Sequence, residues 1–303
     1  MRRALQLASN GEGRVSPNPM VGAVIVSGDR IIGEGFHAFY GGPHAEVNAI
    51  RSVKPEDQEL LKDSTIYVTL EPCAHHGKTP PCANLIVDTG IQKVVVGAPD
   101  PNPLVAGKGI KILQDAGIEV KQGVLEEECV DLNRSFMHAQ VSKMPYIRLK
   151  WAQSADGYIA ATDEEGGLVP VKFSSPLSSV WVHRERASSD AIMVGGTTER
   201  VDKPNLDTRL WGGNSPKKFV AHYSDDLETM ILDMRKEGIT SLLIEGGSKL
   251  LSAFIEKGWW NEIRVETSPV KLGKGLKAPD LPKGLILEDS FECRGNLIRI
   301  FRR

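Results

Sequence analysis

The chain has 303 residues, 41% of them hydrophobic and 25% charged, with a formal net charge of −2. That length suits two domains better than one core. The near-zero charge excludes the strong basic field of a nucleic-acid or membrane-surface binder. Four cysteines are too few for a disulfide framework, and no apolar run approaches the roughly 18 residues that cross a bilayer.

The first eight residues carry Arg2 and Arg3 but no apolar core or cleavage site of a signal peptide. The expectation is a cytoplasmic protein with neither nucleic acid nor membrane as partner. Residues 2–9 read as a helix, and 21–26 and 30–35 as strands joined at Ser27-Gly28-Asp29. Residues 44–53 suit a helix, 65–70 a strand, 81–89 a helix and 93–97 a strand. A helix over 107–116 and a short strand near 118–121 follow. This alternation predicts a three-layer α/β/α sandwich. One long helix is expected over 125–143, ending before Pro145. The domain boundary is placed near 144–146, giving domains of 1–145 and 146–303.

In the second half, 146–151, 191–194, 218–221, 241–244, 262–266 and 297–301 read as strands. Residues 176–188, 225–237 and 248–257 read as helices, and the Gly/Pro-rich stretch 268–284 as a loop or hairpin. Cys129 and Cys293 stand alone and read as ordinary thiols.

The sharpest local pattern is Pro43-His44-Ala45-Glu46, then Glu71-Pro72-Cys73, then Pro80-Pro81-Cys82. Catalytic zinc takes three protein ligands and leaves one position open. His44, Cys73 and Cys82 supply that set. Glu46, two residues beyond the histidine, can shuttle protons from the attacking water to departing ammonia without binding the metal. Each residue alone fits a buried histidine or a structural thiol; together they match the pattern of zinc deaminases of nucleobases. The usual Cys-x-x-Cys spacing is replaced here by eight residues between Cys73 and Cys82. Asn18 can hydrogen-bond a pyrimidine edge, and Asp100 and Asn102 follow a strand where α/β folds place ligand loops. Asn18 and Asn102 also precede proline, so a plain turn role stays open for both. His76, Lys78 and Thr79, in the insertion between the cysteines, suit a ribose phosphate and ring edge. His37 and His75 read as weaker candidates.

The segments Asn18-Pro19-Met20-Val21-Gly22-Ala23, Pro43-His44-Ala45-Glu46-Val47-Asn48-Ala49, Glu71 to Cys82 and Asp100 to Gly109 resemble the bifunctional riboflavin biosynthesis deaminase/reductase family. The resemblance runs through essentially all of residues 1–160. It implies a cytidine-deaminase-like domain, one Zn²⁺ per chain, and deamination of 2,5-diamino-6-(5-phosphoribosylamino)pyrimidin-4-one. It further implies a dihydrofolate-reductase-like second domain that uses NADPH to reduce ribose to ribitol. The expected partner is this small phosphoribosylaminopyrimidine, with the chain acting as a homo-oligomer.

Within the second half, Lys150-Trp151-Ala152-Gln153-Ser154 resembles the first reductase strand, and Thr198 to Arg209 the cofactor and substrate segment. The resemblance assigns Ala152, Thr198, Asp202, Gly246, Gly247 and Ser248 to the cofactor. It assigns Lys150, Arg186, Leu206, Arg209 and Glu245 to the substrate. Read from the residues alone, Glu245-Gly246-Gly247-Ser248 is a strand end, two glycines and a helix start, which serves either a phosphate or a plain tight turn. Arg186 and Arg209 suit a phosphate because a guanidinium pairs two oxygens at once. Lys150 and Asp202 are placed beside the sugar carbon, Asp202 as the reductase's candidate catalytic acid; simple surface charge is the alternative for all four. Two departures stand out. Pro170-Val171-Lys172-Phe173-Ser174 replaces a Ser-x-Trp element, and the stretch from Arg209 to Leu242 is short by several tens of residues. The competing reading is therefore a deaminase whose shortened second domain serves a structural or oligomerisation role.

Overall fold

Short runs of β-branched residues set the strands, and the helices between them carry apolar faces that close over each sheet. The computed structural model describes residues 1–74, 80–102 and 106–303. They fall into two units, Met1–Ser142 and Lys143–Arg303. No helix among the described residues is long and apolar enough to cross a membrane.

The first unit runs α1 (Arg2–Ala8), β1 (Gly22–Ser27), β2 (Arg30–Phe36), α2 (Ala45–Arg51), β3 (Ser64–Leu70), α3 (Cys82–Thr89), β4 (Lys93–Ala98), α4 (Lys108–Asp115), β5 (Glu119–Lys121), α5 (Glu126–Leu132) and α6 (Arg134–Val141). A 3₁₀ stretch, Pro55–Asp63, precedes β3. The sheet order is β2-β1-β3-β4-β5. β1 is antiparallel to both neighbours, and the β3–β4 and β4–β5 pairs are parallel. Alternate residues serve opposite layers. Ala23, Ile25, Ile66, Val68, Val94 and Val96 pack against Ala45 and Ala49 of α2, Ala83 and Ile86 of α3 and Leu113 of α4. Val24 faces the other way, onto Ala4 and Leu7 of α1. The result is the three-layer sandwich that the strand–helix alternation predicts.

The expected single helix over 125–143 is two. It breaks at Asn133, whose backbone leaves the helical region at φ −111° and ψ 22°. The cause is a side-chain pairing. The Asn133 amide accepts from the Met20 N–H at 2.7 Å and donates to the Met20 carbonyl at 2.8 Å. It thereby satisfies both main-chain groups of a segment that lies outside any strand. That anchor fixes the stretch carrying Asn18, Pro19 and Val21.

The second unit runs β6 (Tyr146–Gln153), β7 (Tyr158–Thr162), β8 (Leu168–Pro170), α7 (Pro176–Ala187), β9 (Ala191–Gly195), α8 (Gly196–Asp202), β10 (Lys217–Ala221), α9 (Leu227–Lys236), β11 (Ser241–Glu245), α10 (Ser248–Glu256), β12 (Glu262–Thr267), β13 (Leu276–Lys277), β14 (Ile286–Cys293) and β15 (Asn296–Arg302). Its main sheet has the order β10-β9-β11-β6-β12-β15-β14, with β13-β7-β8 as a separate small sheet. The first five strands are parallel, and β15 and β14 close the edge antiparallel. Between Arg209 and Ser241 the chain forms one strand and one helix, β10 and α9. On one face Leu149, Trp151, Ile244, Ile263 and Val265 join Ile231, Leu251 and Phe254 in the core.

Asn133→Ala removes both partners of the Met20 main chain at a position only 4% exposed. Leaving the half-buried donor and acceptor of Met20 without their partner is expected to lower the unfolding free energy by about 1 kcal/mol. Urea denaturation of the variant measures this; a midpoint equal to the parent's would show that the anchor is dispensable.

Candidate functional site

Three elements bring the metal-ligand candidates together. His44 is the N-cap residue of α2, Cys73 lies three residues past the end of β3, and Cys82 is the first residue of α3. His44 Nδ1 lies 3.6 Å from Cys73 Sγ and 3.4 Å from Cys82 Sγ, and all three ligand atoms fall within 4.8 Å of one another. Tetrahedral zinc with ordinary Zn–S and Zn–N bonds would hold such a nitrogen and sulfur about 3.5 Å apart. The donor set and its spacing fit the ion.

The charges agree with that reading. Hydrogen bonding from Cys82 first, then from His44, holds the Cys73 thiol down at about 4 against the opposing effect of burial. Cys82 is pushed up by the Cys73 sulfur beside it and by burial. The Cys82 backbone N–H also donates to Cys73 Sγ at 3.3 Å. The two neighbouring sulfurs disfavour each other's charge, and a divalent cation would relieve that competition by holding both as thiolates. Glu46, in the first turn of α2, is 3% exposed, and burial pushes its carboxyl up to about 7.

A cavity of about 490 Å³ opens beside this triangle. Asn18, Asp100 and Asn102 all line it, as expected, and His37, Glu71, Phe136 and Gln140 join them. The His37 ring is buried, which holds its pKa below the usual histidine value. Its Nδ1 lies 3.0 Å from the Pro43 carbonyl, so that nitrogen carries the proton. Nε2 then accepts from Asn18 Nδ2 at 3.1 Å. His37 thus orients the Asn18 amide with its oxygen left over for a donor on a ring edge. Asp100 Oδ1 accepts from the Asn102 N–H at 2.9 Å and fixes the turn between them. His37 was legible only as a weak candidate, because its role depends on Pro43 and Asn18 at once. Glu71 carried a usable signal, an acid directly before Pro72-Cys73 at a strand end. His76, Lys78 and Thr79, like His75, lie outside the described residues.

The second unit has its own cleft, of about 430 Å³. Its location follows from topology. The chain leaves β9 for β10 on one side, and leaves neighbouring β11 for β12 on the other, beyond β6. Such a reversal opens a crevice at the carboxyl ends of the two strands, where open α/β sheets bind nucleotides. Gly246 turns there at φ +93°, and a Cβ on it would meet Thr198 Cγ2 at 2.8 Å and Oγ1 at 2.9 Å. The Gly247 N–H donates to Thr198 Oγ1 at 3.0 Å, and α10 begins at Ser248.

Lys150, Ala152, Thr198, Asp202, Leu206, Glu245, Gly246 and Gly247 line this cleft with Arg186; Ser248 and Arg209 are not among its described lining residues. Arg186 is engaged internally. Its Nε and Nη2 donate to the two oxygens of Glu245 at 3.1 and 2.7 Å, and Nη1 donates to the Asp207 carbonyl at 3.3 Å. Arg209 pairs with Asp207 at 2.6 Å, its side chain 56% exposed. Burial raises the Glu245 carboxyl, but Lys150 and then Arg186 outweigh it and hold the group below the usual range. Lys150 is 8% exposed on β6 and sits in register between Glu245 of β11 and Arg264 of β12.

Comparison with known proteins identifies a family region in each unit. Residues 1–98 match the cytidine and deoxycytidylate deaminase zinc-binding region, and residues 145–232 and 220–290 match the RibD C-terminal domain. The riboflavin biosynthesis protein RibD of Actinobacillus pleuropneumoniae is 37% identical over 329 aligned positions, covering 92% of this chain and 85% of that protein. The structure of Acinetobacter baumannii RibD superposes with a TM-score of 0.87 at 33% identity, over 99% of this chain and 97% of the other. A diaminohydroxyphosphoribosylaminopyrimidine deaminase/5-amino-6-(5-phosphoribosylamino)uracil reductase from Thermotoga maritima superposes with a TM-score of 0.90 at 34% identity, over 100% and 97% of the two chains. A zinc-binding deaminase region and a reductase domain in one chain, matched along their whole length, place this protein in the RibD family of riboflavin biosynthesis enzymes.

Proposed function

We propose that this chain catalyses two successive steps of riboflavin biosynthesis. The first is hydrolytic deamination of 2,5-diamino-6-(5-phosphoribosylamino)pyrimidin-4-one. The second is NADPH-dependent reduction of the resulting 5-amino-6-(5-phosphoribosylamino)uracil to its ribitylamino form. The observation that carries the reading is the His44–Cys73–Cys82 triangle with Glu46 buried beside it.

His44, Cys73 and Cys82 would hold Zn²⁺, which would supply the Lewis acidity that makes water nucleophilic near neutral pH. Glu46 takes the proton that the water loses on attacking the ring carbon bearing the 2-amino group. It then delivers a proton to the departing nitrogen, so that water and amine exchange as uracil and ammonia. Asn18, oriented by His37, meets the ring edge, and Asp100 and Asn102 line the opposing loop. The described residues lining this cavity include three acids and neither lysine nor arginine. A phosphorylated substrate needs a cation there, and Lys78, with His76 and Thr79, is the group we assign to it.

In the second unit the crevice at Gly246-Gly247 suits a dinucleotide pyrophosphate, because Gly246 is in a backbone conformation and spacing that exclude a side chain and a helix begins beyond Gly247. The cleft at Gly246, Gly247 and Thr198 would hold NADPH, which would supply the hydride. Lys150 projects from the central strand into the same cleft and places positive charge where the sugar oxygen gains electron density. Asp202, which lines the same cleft, is the candidate proton-transfer group, with Arg186 held by Glu245 as part of the wall.

Glu46→Gln is expected to retain one zinc per chain and to lose deamination by about a thousandfold, the scale of a missing acid–base group. Elemental analysis beside an ammonia-release assay separates the two readouts; near-normal turnover would remove Glu46 from this role. Cys82→Ser takes away one of three ligands and is expected to lower bound zinc well below one per chain, in the same elemental analysis. Full occupancy in that variant would assign the third ligand elsewhere. For the second step, the purified chain supplied with the deaminated intermediate should consume NADPH, and Lys150→Met should slow this about a hundredfold with deamination unchanged. Failure of the parent protein to oxidise NADPH while it still releases ammonia would leave deamination as its sole activity.

A further inference from the structure

One buried carboxylate in the deaminase cavity has no part in the metal or proton chemistry described above. Glu71 is the first residue after β3, lines the cavity and is 6% exposed. A carboxylate so placed must be compensated by charge or by hydrogen bonds. Here the compensation comes from main chain. Oε2 accepts from the N–H groups of Asp100 at 3.2 Å and Gly107 at 3.0 Å. Oε1 accepts from Gly109 at 2.9 Å and Ile110 at 3.4 Å. Asp100 and Gly107 lie near the two ends of the segment that joins β4 to α4, and Gly109 and Ile110 in the first turn of α4, so a single side chain ties both flanks of that segment to the strand that leads to Cys73.

The fit is exact enough to exclude any side chain at one point. A Cβ on Gly109 would fall 1.9 Å from the Pro72 carbonyl oxygen and 3.3 Å from Glu71 Oε1. The amino end of α4 reaches the carboxylate only because that position is glycine. The restraint also passes on to the cavity wall. The Glu71 backbone N–H donates to the Ala98 carbonyl at 2.9 Å, and Asp100 Oδ1 in turn holds the Asn102 N–H.

We propose that Glu71 is a positioning residue for the pyrimidine substrate, an anionic clamp that sets Asp100 and Asn102 in the cavity wall; this rests on the deaminase reading above. A carboxylate is required, because it offers acceptors on both oxygens and no donor. Glutamine has nearly the same shape but turns one of those acceptors into an N–H₂ group that would face two main-chain N–H groups.

The test compares the full-length parent with Glu71→Gln. Zinc per chain should stay at the parent level, KM for the diaminopyrimidine should rise about tenfold, and kcat should stay within about threefold, as for loss of substrate positioning. Amide hydrogen exchange should accelerate at Asp100, Gly107, Gly109 and Ile110, with the strands of the sheet unchanged. Unchanged KM, or loss of zinc in step with activity, would overturn the proposal and make Glu71 a plain support of the metal site. The exchange measurement needs no substrate, so it stands even if the parent protein proves to release no ammonia, an outcome that would sink the deaminase reading instead. Should the variant not fold, exchange in the parent decides: Asp100 and Gly107 lie outside the helix ladder, and their amides must nonetheless be strongly protected. Exchange there at open-loop rates would end the idea.

Discussion

Residues 70–73 carry the heaviest structural demand in the deaminase unit. Leu70 is the last core side chain of β3, Glu71 is a buried anion, Pro72 presents a carbonyl to a glycine, and Cys73 offers a sulfur to the metal. Four consecutive residues thus serve the core, the loop, the helix packing and the ion. The arrangement works because a parallel pair of strands, β3 and β4, ends at the same level. Each following segment then reaches the cavity with its main-chain donors still unpaired, and a buried carboxylate is the natural acceptor for them. His44 and Cys82 arrive from the starts of two helices that pack on the sheet through small residues, Ala45 and Ala49 in one and Ala83 in the other. Core packing therefore helps to set the ligand spacing.

The second unit solves a different problem. One face of its sheet is apolar, but the other carries Arg148, Lys150, Glu245, Glu262, Arg264 and Glu266 on the central strands. Charges buried so closely are tolerated only when paired, since removing one partner strands the other in a low dielectric. Arg186 of α7 closes on Glu245, and Glu185 beside it closes on Arg264. Glu266 accepts from Ser174 at 2.7 Å and Asn296 at 2.6 Å. Lys150 is left facing the cleft under the influence of Glu245 and Glu266. A row of paired charges around Lys150 is the kind of preorganised field that favours a developing oxyanion.

Much of this was legible in the sequence, for reasons that differ from place to place. The central strands declared themselves because both faces are buried, so Val94-Val95-Val96 and Leu242-Leu243-Ile244 read as unbroken apolar runs. The metal ligands were legible because zinc chemistry restricts donor type and number. The break at Asn133 was not, because its cause lies more than a hundred residues away at Met20. Strand β14 escaped notice because it is an exposed edge rich in Glu288, Asp289 and Glu292, with no apolar alternation to reveal it. Its best signal was the turn Arg294-Gly295, both residues at positive φ, between strand ends that pair at Cys293 and Asn296. The small strands β7 and β8 were hidden for a different reason, their short length and partial exposure.

The arginines show where composition misleads. From sequence, Arg186 and Arg209 are equivalent cations in search of a phosphate. In the fold they differ in kind. Arg186 is largely buried, and its planar fork is spent on Glu245 in a bidentate pair, which a substrate phosphate would have to displace at the cost of leaving Glu245 unpaired. Arg209 is mostly in solvent, and its pair with Asp207 is of the kind that contributes little and exchanges readily. Burial and pairing thus separate two cations of the same chemistry: Arg186 is fixed in the cleft wall through Glu245, whereas Arg209 is not among the described residues that line that cleft.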